Sequence, residues 1–419
     1  MTENTTTDAA ALEPAAIARV QRRTVWVLSI AQVLGGIAFG ATLSLGAVLA
    51  AEISGDETFS GPAAAAVTLG TALIAIPLAA LARRRGRRGS LTTGMLIALV
   101  GVILVVWAVA SRSFPLLLAA FLLIGGGQAA NLQSRFAAAD LATDSSRGRD
   151  LSIVVWATTI GAVLGPNLTG PGEIVGGWVG MPALTGPYLF TIVGQLLAVV
   201  LFLAALRPDP LLLAQRVVAA ASAASGVPRI ARADQPRVAR YAIFAVAAAH
   251  GVMVSVMAMT PVHLLHHGAT LTVIGLTLSL HIAGMYALSP VFGILADRLG
   301  RVPTILIGQV VLAAALITAS FGQDSQTAVT VGLVLLGLGW SATTVAGSAL
   351  LTEASSELAR TRRQGLSDFT MSLVAAVGAI LAGVVLGGIG YGGLALVVGI
   401  AVVAVVVLAP FGRRTALAR

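Results

Sequence analysis

The chain has 419 residues, a formal net charge of +9, and a composition that is 57% hydrophobic and only 10% charged. A soluble fold of this apolarity would lack polar surface to face water, and the apolar runs exceed the roughly 18–20 residues that span a bilayer. Cysteine is absent, which excludes disulfides, zinc-thiolate sites and thiol nucleophiles. Every basic residue is arginine, and the arginines fall in short clusters between apolar runs with no aromatic-interleaved basic patch, which argues against nucleic acid as a partner.

Residues 1–23 are polar and end in Arg19, Arg22 and Arg23; they read as a cytoplasmic tail and not as a signal peptide, because the first apolar run has full membrane length. Spans are expected at 24–50, 62–82, 91–110, 114–134, 151–171 and 185–206. A second set is expected at 239–264, 271–295, 303–321, 328–350, 366–386 and 391–411. Pro166, Gly170 and Pro171 interrupt the fifth span, and only a glycine-rich hinge at 387–393 separates the last two. Between them, 207–238 shifts to Ala, Ser, Pro and Arg, a cytoplasmic linker between six-helix halves at 24–206 and 239–411. Its apolar start, 211–224, suits a helix lying on the membrane surface, and 412–419 is a short cytoplasmic tail.

With both termini in the cytoplasm, the arginines at 83–88, 135–149, 298–301 and 360–363 all fall inside and only Arg112 falls outside. An internal repeat accompanies this pattern. Residues 293–301 (GILADRLGR) and 79–87 (AALARRRGR) close the eighth and second spans 214 residues apart, an offset that also relates the starts of the two halves. The second copy, with Gly293, Asp297, Arg298, Gly300 and Arg301, resembles the loop signature of the major facilitator superfamily. That resemblance implies an all-α membrane transporter of twelve transmembrane helices in two pseudo-symmetric halves, in which Asp297 pairs with an arginine or a helix N-terminus and latches the halves together. The first copy departs from the pattern, with Arg83 at the acidic position. Residues 161–166 (GAVLGP) resemble the glycine-proline motif of the superfamily's exporters.

All five histidines lie between His250 and His281, with Met253, Met257, Met259 and Met285 in the same region. Met253 and Met257, and likewise His281 and Met285, are four residues apart and so stack on one helix face. His250, Met253 and Met257 share a face, and the rise of about 1.5 Å per residue sets Met253 and His281 at matching depth near the bilayer centre. Thioether and imidazole donors suit Cu(I). M-x-x-x-M on the seventh span followed by H-x-x-x-M on the eighth resembles the CcoA-like copper importers. The resemblance implies copper as the transported ion, with Met253, Met257, His281 and Met285 as ligands and His250 beside them. Relatives of that group are thought to carry organic substrates such as riboflavin.

His263, His266 and His267 read as solvated residues of an outer loop. Gln32, Gln128, Asn131, Gln133, Asn167 and Gln195 either line a cavity or bond between helices, and of these Gln32, Gln128, Asn131 and Asn167 are the cavity candidates. No carboxylate is placed in the middle of a span; Asp150, Glu353 and Asp368 are assigned to cytoplasmic ends. The expectation is a monomeric secondary transporter of a bacterial cytoplasmic membrane, with no cofactor and no enzymatic motif, importing copper by alternating access. Proton-coupled efflux of a hydrophobic compound and uptake of an organic nutrient are the alternatives.

Overall fold

The computed structural model describes residues 13–55, 60–225 and 234–413. Within them the chain forms α1 (Pro14–Ser54), α2 (Ser60–Ala110), α3 (Phe114–Ala137), α4 (Arg147–Asn167), α5 (Thr169–Trp178), α6 (Pro187–Ala205) and α7 (Pro210–Ser225). The second series is α8 (Pro236–His266), α9 (Leu271–Tyr286), α10 (Ser289–Leu299), α11 (Arg301–Phe321), α12 (Gln326–Glu353) and α13 (Glu357–Val407), closed by a 3-10 turn at Ala409–Gly412. The fold is all-helical. Proline in the first turn opens α1, α3, α6 and α8, where a missing N–H costs nothing. Thr270 and Ser325 cap α9 and α12 by accepting the N–H of Val273 and Ala328.

Eight described helices are long and apolar enough to cross a membrane. Two of them, α2 and α13, run for 51 residues each and bend at Gly86 and Gly390, so that each can make two passes; the set is consistent with twelve. The expected second and third spans are two helical segments that meet at Gly86 with no loop between them. Gly86 makes this possible, because φ 78° and ψ 178° turn the chain within one residue in a conformation that side chains resist. The expected eighth span is matched by one apolar crossing, Val273–Leu299, that is not a continuous helix. It breaks at Ala287 and Leu288 into α9 and α10, because Pro290 offers no N–H to continue the ladder. Helix α1 starts at Pro14, within the stretch expected as a tail at 1–23.

Large apolar side chains such as Trp107, Val310 and Ile400 point outward, as lipid-facing residues do. Between helices, small residues let backbones approach closely: a Cβ on Gly101 would lie 2.8 Å from the Ala120 carbonyl oxygen. Helix α7 buries Leu211 and Leu213 against the protein. Asp209 caps it through the N–H groups of Leu211 and Leu212 and also accepts the Arg88 N–H at 2.7 Å, tying the linker helix to the bend in α2. At the linker's far end Asp234 pairs with Arg363 at 2.6 Å, and that hydrogen bond holds the Asp234 carboxyl below the usual carboxylate range. Residues 226–233, with Arg229 and Arg232, lie outside the described residues, as do 1–12 and 414–419.

Candidate functional site

The ion pairs and hydrogen bonds that join α1–α6 to α8–α13 cluster at the arginine-rich end of the helices. Asp297, near the end of α10, accepts the backbone N–H groups of Gly148 and Arg149 at 2.9 Å each, so its carboxylate sits on the N-terminus of α4. It also pairs with Arg301. Arg301 in turn donates to Glu353 at 2.7 Å and to the Asp144 carbonyl at 2.9 Å, and Arg147 reaches the same Glu353 oxygen at 3.0 Å. Gly293 faces Gly148 so closely that a Cβ on Gly148 would stand 2.5 Å from the Gly293 carbonyl oxygen. Arg298 is exposed, and Gly300, with φ 103°, turns the chain from α10 into α11.

The first series holds a partial copy. Arg87, 214 residues before Arg301, is fully buried and pairs with Asp140 at 2.7 Å, as Arg301 does with Glu353. Its Nη2, which also donates to Asp140 at 3.1 Å, donates to the Gln364 side-chain oxygen of α13 at 2.6 Å. Gly86 corresponds to Gly300. Arg83, the counterpart of Asp297, is exposed, so the carboxylate that fastens α10 to α4 has no equivalent between α2 and α13.

The Met/His residues divide between two settings. Met253 and Met285 are buried in one apolar cluster of the second series, and Met257 packs against it. His281 is wholly buried on the face of α9 that meets α12, where its Nδ1–H donates to the Leu333 carbonyl at 2.7 Å. That bond leaves Nε2 as the lone-pair nitrogen, and it has no hydrogen-bond partner. His250 is arranged the other way, its Nδ1 accepting the Trp340 indole N–H at 2.8 Å. Among the described residues no group of three or more His, Cys, Asp or Glu is arranged to hold a metal ion.

His263 departs from its expected place in a solvated loop. It lies inside α8, buried, because its ring stacks on Tyr391 at 4.2 Å and its Nε2–H donates to the Gln323 carbonyl at 2.8 Å. With His266, His267 and Asp324 it lines a pocket of about 480 Å³ at the end opposite the arginines. Gln32 donates to Thr158 at 3.1 Å and so joins α1 to α4. Gln128, Asn131 and Gln195 line a void of about 10 Å³, room for one water, with the Asn131 and Gln195 carbonyl oxygens unpartnered. Gln133 donates to the Ala75 carbonyl at 3.2 Å. The Asn167 side chain lies outside the described set.

Sequence reading missed the central pair. Arg135 of α3 and Asp368 of α13 are both buried and meet at 2.6 Å across the two series. Around them stand His250, whose partner Trp340 also meets Tyr286 edge-on with centroids 5.7 Å apart; both His250 and Tyr286 feel the Arg135 charge. Tyr286 packs as well against Leu151 and Val155 of α4, at the seam between the two series. A guanidinium, a carboxylate, an imidazole, an indole and a phenol from five helices therefore converge at the interface. Together they can stack a flat ring and donate hydrogen bonds to its edge.

Known proteins share this chain's sequence and shape. YdeG of Bacillus subtilis, an uncharacterized MFS-type transporter, is 36% identical over 386 residues, 90% of this chain and 89% of its own. The riboflavin transporter RfnT of Brucella anthropi is 28% identical over 381 residues, 87% of this chain and 89% of its own. The solved structure of the human organic anion transporter MFSD10 superposes with a TM-score of 0.75 at 16% identity, covering 93% of this chain and 99% of that one. The sequence profile of the Major Facilitator Superfamily matches residues 28–270 and 242–417. The chain therefore belongs to the Major Facilitator Superfamily, a multi-pass membrane transporter and not an enzyme.

Proposed function

We propose that this transporter takes up a planar organic solute with an acceptor-rich edge across a bacterial cytoplasmic membrane, by alternating access. The observation that carries the reading is the meeting of Arg135, His250, Trp340 and Tyr286 where the two series of helices face each other. An aromatic solute stacks on indole and phenol, and the guanidinium reads its oxygen or nitrogen edge. The identity shared with RfnT supports the same class of cargo. The arginine-rich end is assigned to the cytoplasm by the positive-inside rule, which makes the described state closed to the cytoplasm.

Copper is the second reading, favoured by a different observation. The unpartnered Nε2 of His281 and the shared burial of Met253 and Met285 supply soft donors within one half. His250 is a poor member of that set while Trp340 occupies its Nδ1 lone pair.

Uptake of riboflavin and of copper should be compared in cells that lack the protein, carry it unaltered, or carry one of two variants at matched protein levels. Trp340→Ala is expected to lower flavin uptake at least about tenfold, the loss of one stacking contact and one hydrogen bond, with copper content unchanged. If flavin uptake ignores the protein while copper content drops on Met257→Leu plus Met285→Leu, the second reading replaces the first.

A further inference from the structure

Opening the arginine-rich end requires every bond across the seam to part, and the Arg135–Asp368 pair is the most deeply buried of the described ion pairs that cross it. Side-chain exposure is 3% for Arg135 and 0% for Asp368. The pair is also incompletely satisfied: Asp368 Oδ2 and Arg135 Nε have no hydrogen-bond partner. When the helices separate, Asp368 loses the one ion-pair partner it has among the described residues while it remains in a largely apolar bundle, and such a carboxylate is stable there in its neutral form.

We propose that Asp368 is the proton-coupling group of this transporter. A proton entering from the histidine-lined end binds the Asp368 carboxylate at its free Oδ2, giving the neutral acid. No covalent bond to another atom breaks; the ion pair with Arg135 is lost, and the guanidinium is released from the carboxylate. The seam then opens at the arginine-rich end, the solute leaves, and the proton dissociates to water on that side as Arg135 reclaims the carboxylate. One proton thus accompanies each solute inward.

The charged and titratable groups around the pair are few. Arg87 of α2 acts on Asp368 from the first series, while His250 of α8 and Tyr286 of α9 face Arg135. Met371, one turn along α13 from Asp368, offers Arg135 only its sulfur, at 3.9 Å. Arg87 already has Asp140, and His250 is bonded to Trp340. Asp368 is therefore the one carboxylate among these groups whose sole ionic partner lies across the seam. The inference rests on alternating access and is independent of the cargo.

The native chain lacks cysteine, so spin labels placed through Arg84→Cys and Leu358→Cys, two exposed positions on opposite series, report the seam alone. The probe is acidification from about pH 8 to about pH 5, a range that brackets the titration of a buried carboxylate. The long-distance population is expected to rise severalfold on acidification in the otherwise native chain. In Asp368→Asn it should be high at both ends of the range and insensitive to pH, and Asp368→Glu should restore the response. Asp297→Ala should raise the long-distance population yet keep its dependence on pH. The proposal is overturned if the native seam ignores pH, or if Asp368→Asn retains the native response. If Asp368→Asn fails to fold, an unshifted midpoint in Asp368→Glu overturns it equally. Loss of flavin and copper uptake bears on the cargo and leaves this result untouched.

Discussion

Asp297→Ala is expected to release the seam at the arginine-rich end and to lower transport at least about tenfold. The carboxylate accepts two backbone N–H groups at the N-terminus of α4, charge-assisted bonds that reach across the seam, and it balances Arg301. Their removal weakens the closed state by roughly 2–4 kcal/mol, which multiplies the open population by a factor between about 30 and about 1,000. The spin-label pair at positions 84 and 358 checks this directly, and longer distances at neutral pH are the expected result. Because Glu353 still holds Arg301 and Arg147, the variant should fold and reach the membrane at normal levels. An unchanged distance distribution would assign Asp297 to the stability of the second series alone.

Gly293→Val should produce an equally large effect by a different route. The Gly293 face of α10 rests on Gly148 and Ser152 of α4 with no room for a side chain, and the nearest obstacle includes a backbone carbonyl that cannot rotate away. Overpacking of this kind costs about 1–3 kcal/mol per intrusion where the neighbours can adjust, and more against backbone. The closed state should thus be nearly inaccessible and transport lost by about two orders of magnitude. Gly293→Ala is expected to fall between the native chain and Gly293→Val. Neither substitution should lower the amount of folded protein, because the clash exists only when the seam is shut. A graded loss of protein in place of transport would contradict this.

The architecture was legible in the sequence because apolar run length and arginine placement are local properties that the bilayer imposes on each span separately. The repeat at 79–87 and 293–301 likewise announced the second half as a copy of the first. What stayed hidden were pairings between spans. Arg135 and Asp368 each look like a charge marking a span end, and they are 233 residues apart; only the packing of α3 on α13 turns them into a buried pair. Glu353 looked like another end marker, yet it joins Arg301 and Arg147 from opposite series. His281 was legible as a buried polar residue, but its hydrogen bond to Leu333 depends on which face of α9 meets α12. The break before Pro290 was missed for a simpler reason, since the apolar pattern continues through it; the turn at Gly86 was legible in the arginine run 83–88 that parts the expected second and third spans.

The exposed Arg83 gives the two seams unequal strength. On one side α10 is clasped to α4 by charge, through Asp297 and Arg301; on the other, α2 meets α13 among the described residues through a hydrogen bond from the Arg87 guanidinium to the Gln364 side-chain oxygen and a close fit of Gly365 against Ala79. The two jambs of this gate are therefore fastened by different means, a charge clasp around Asp297 on one and, on the other, a hydrogen bond and close packing beside the buried Arg135–Asp368 pair.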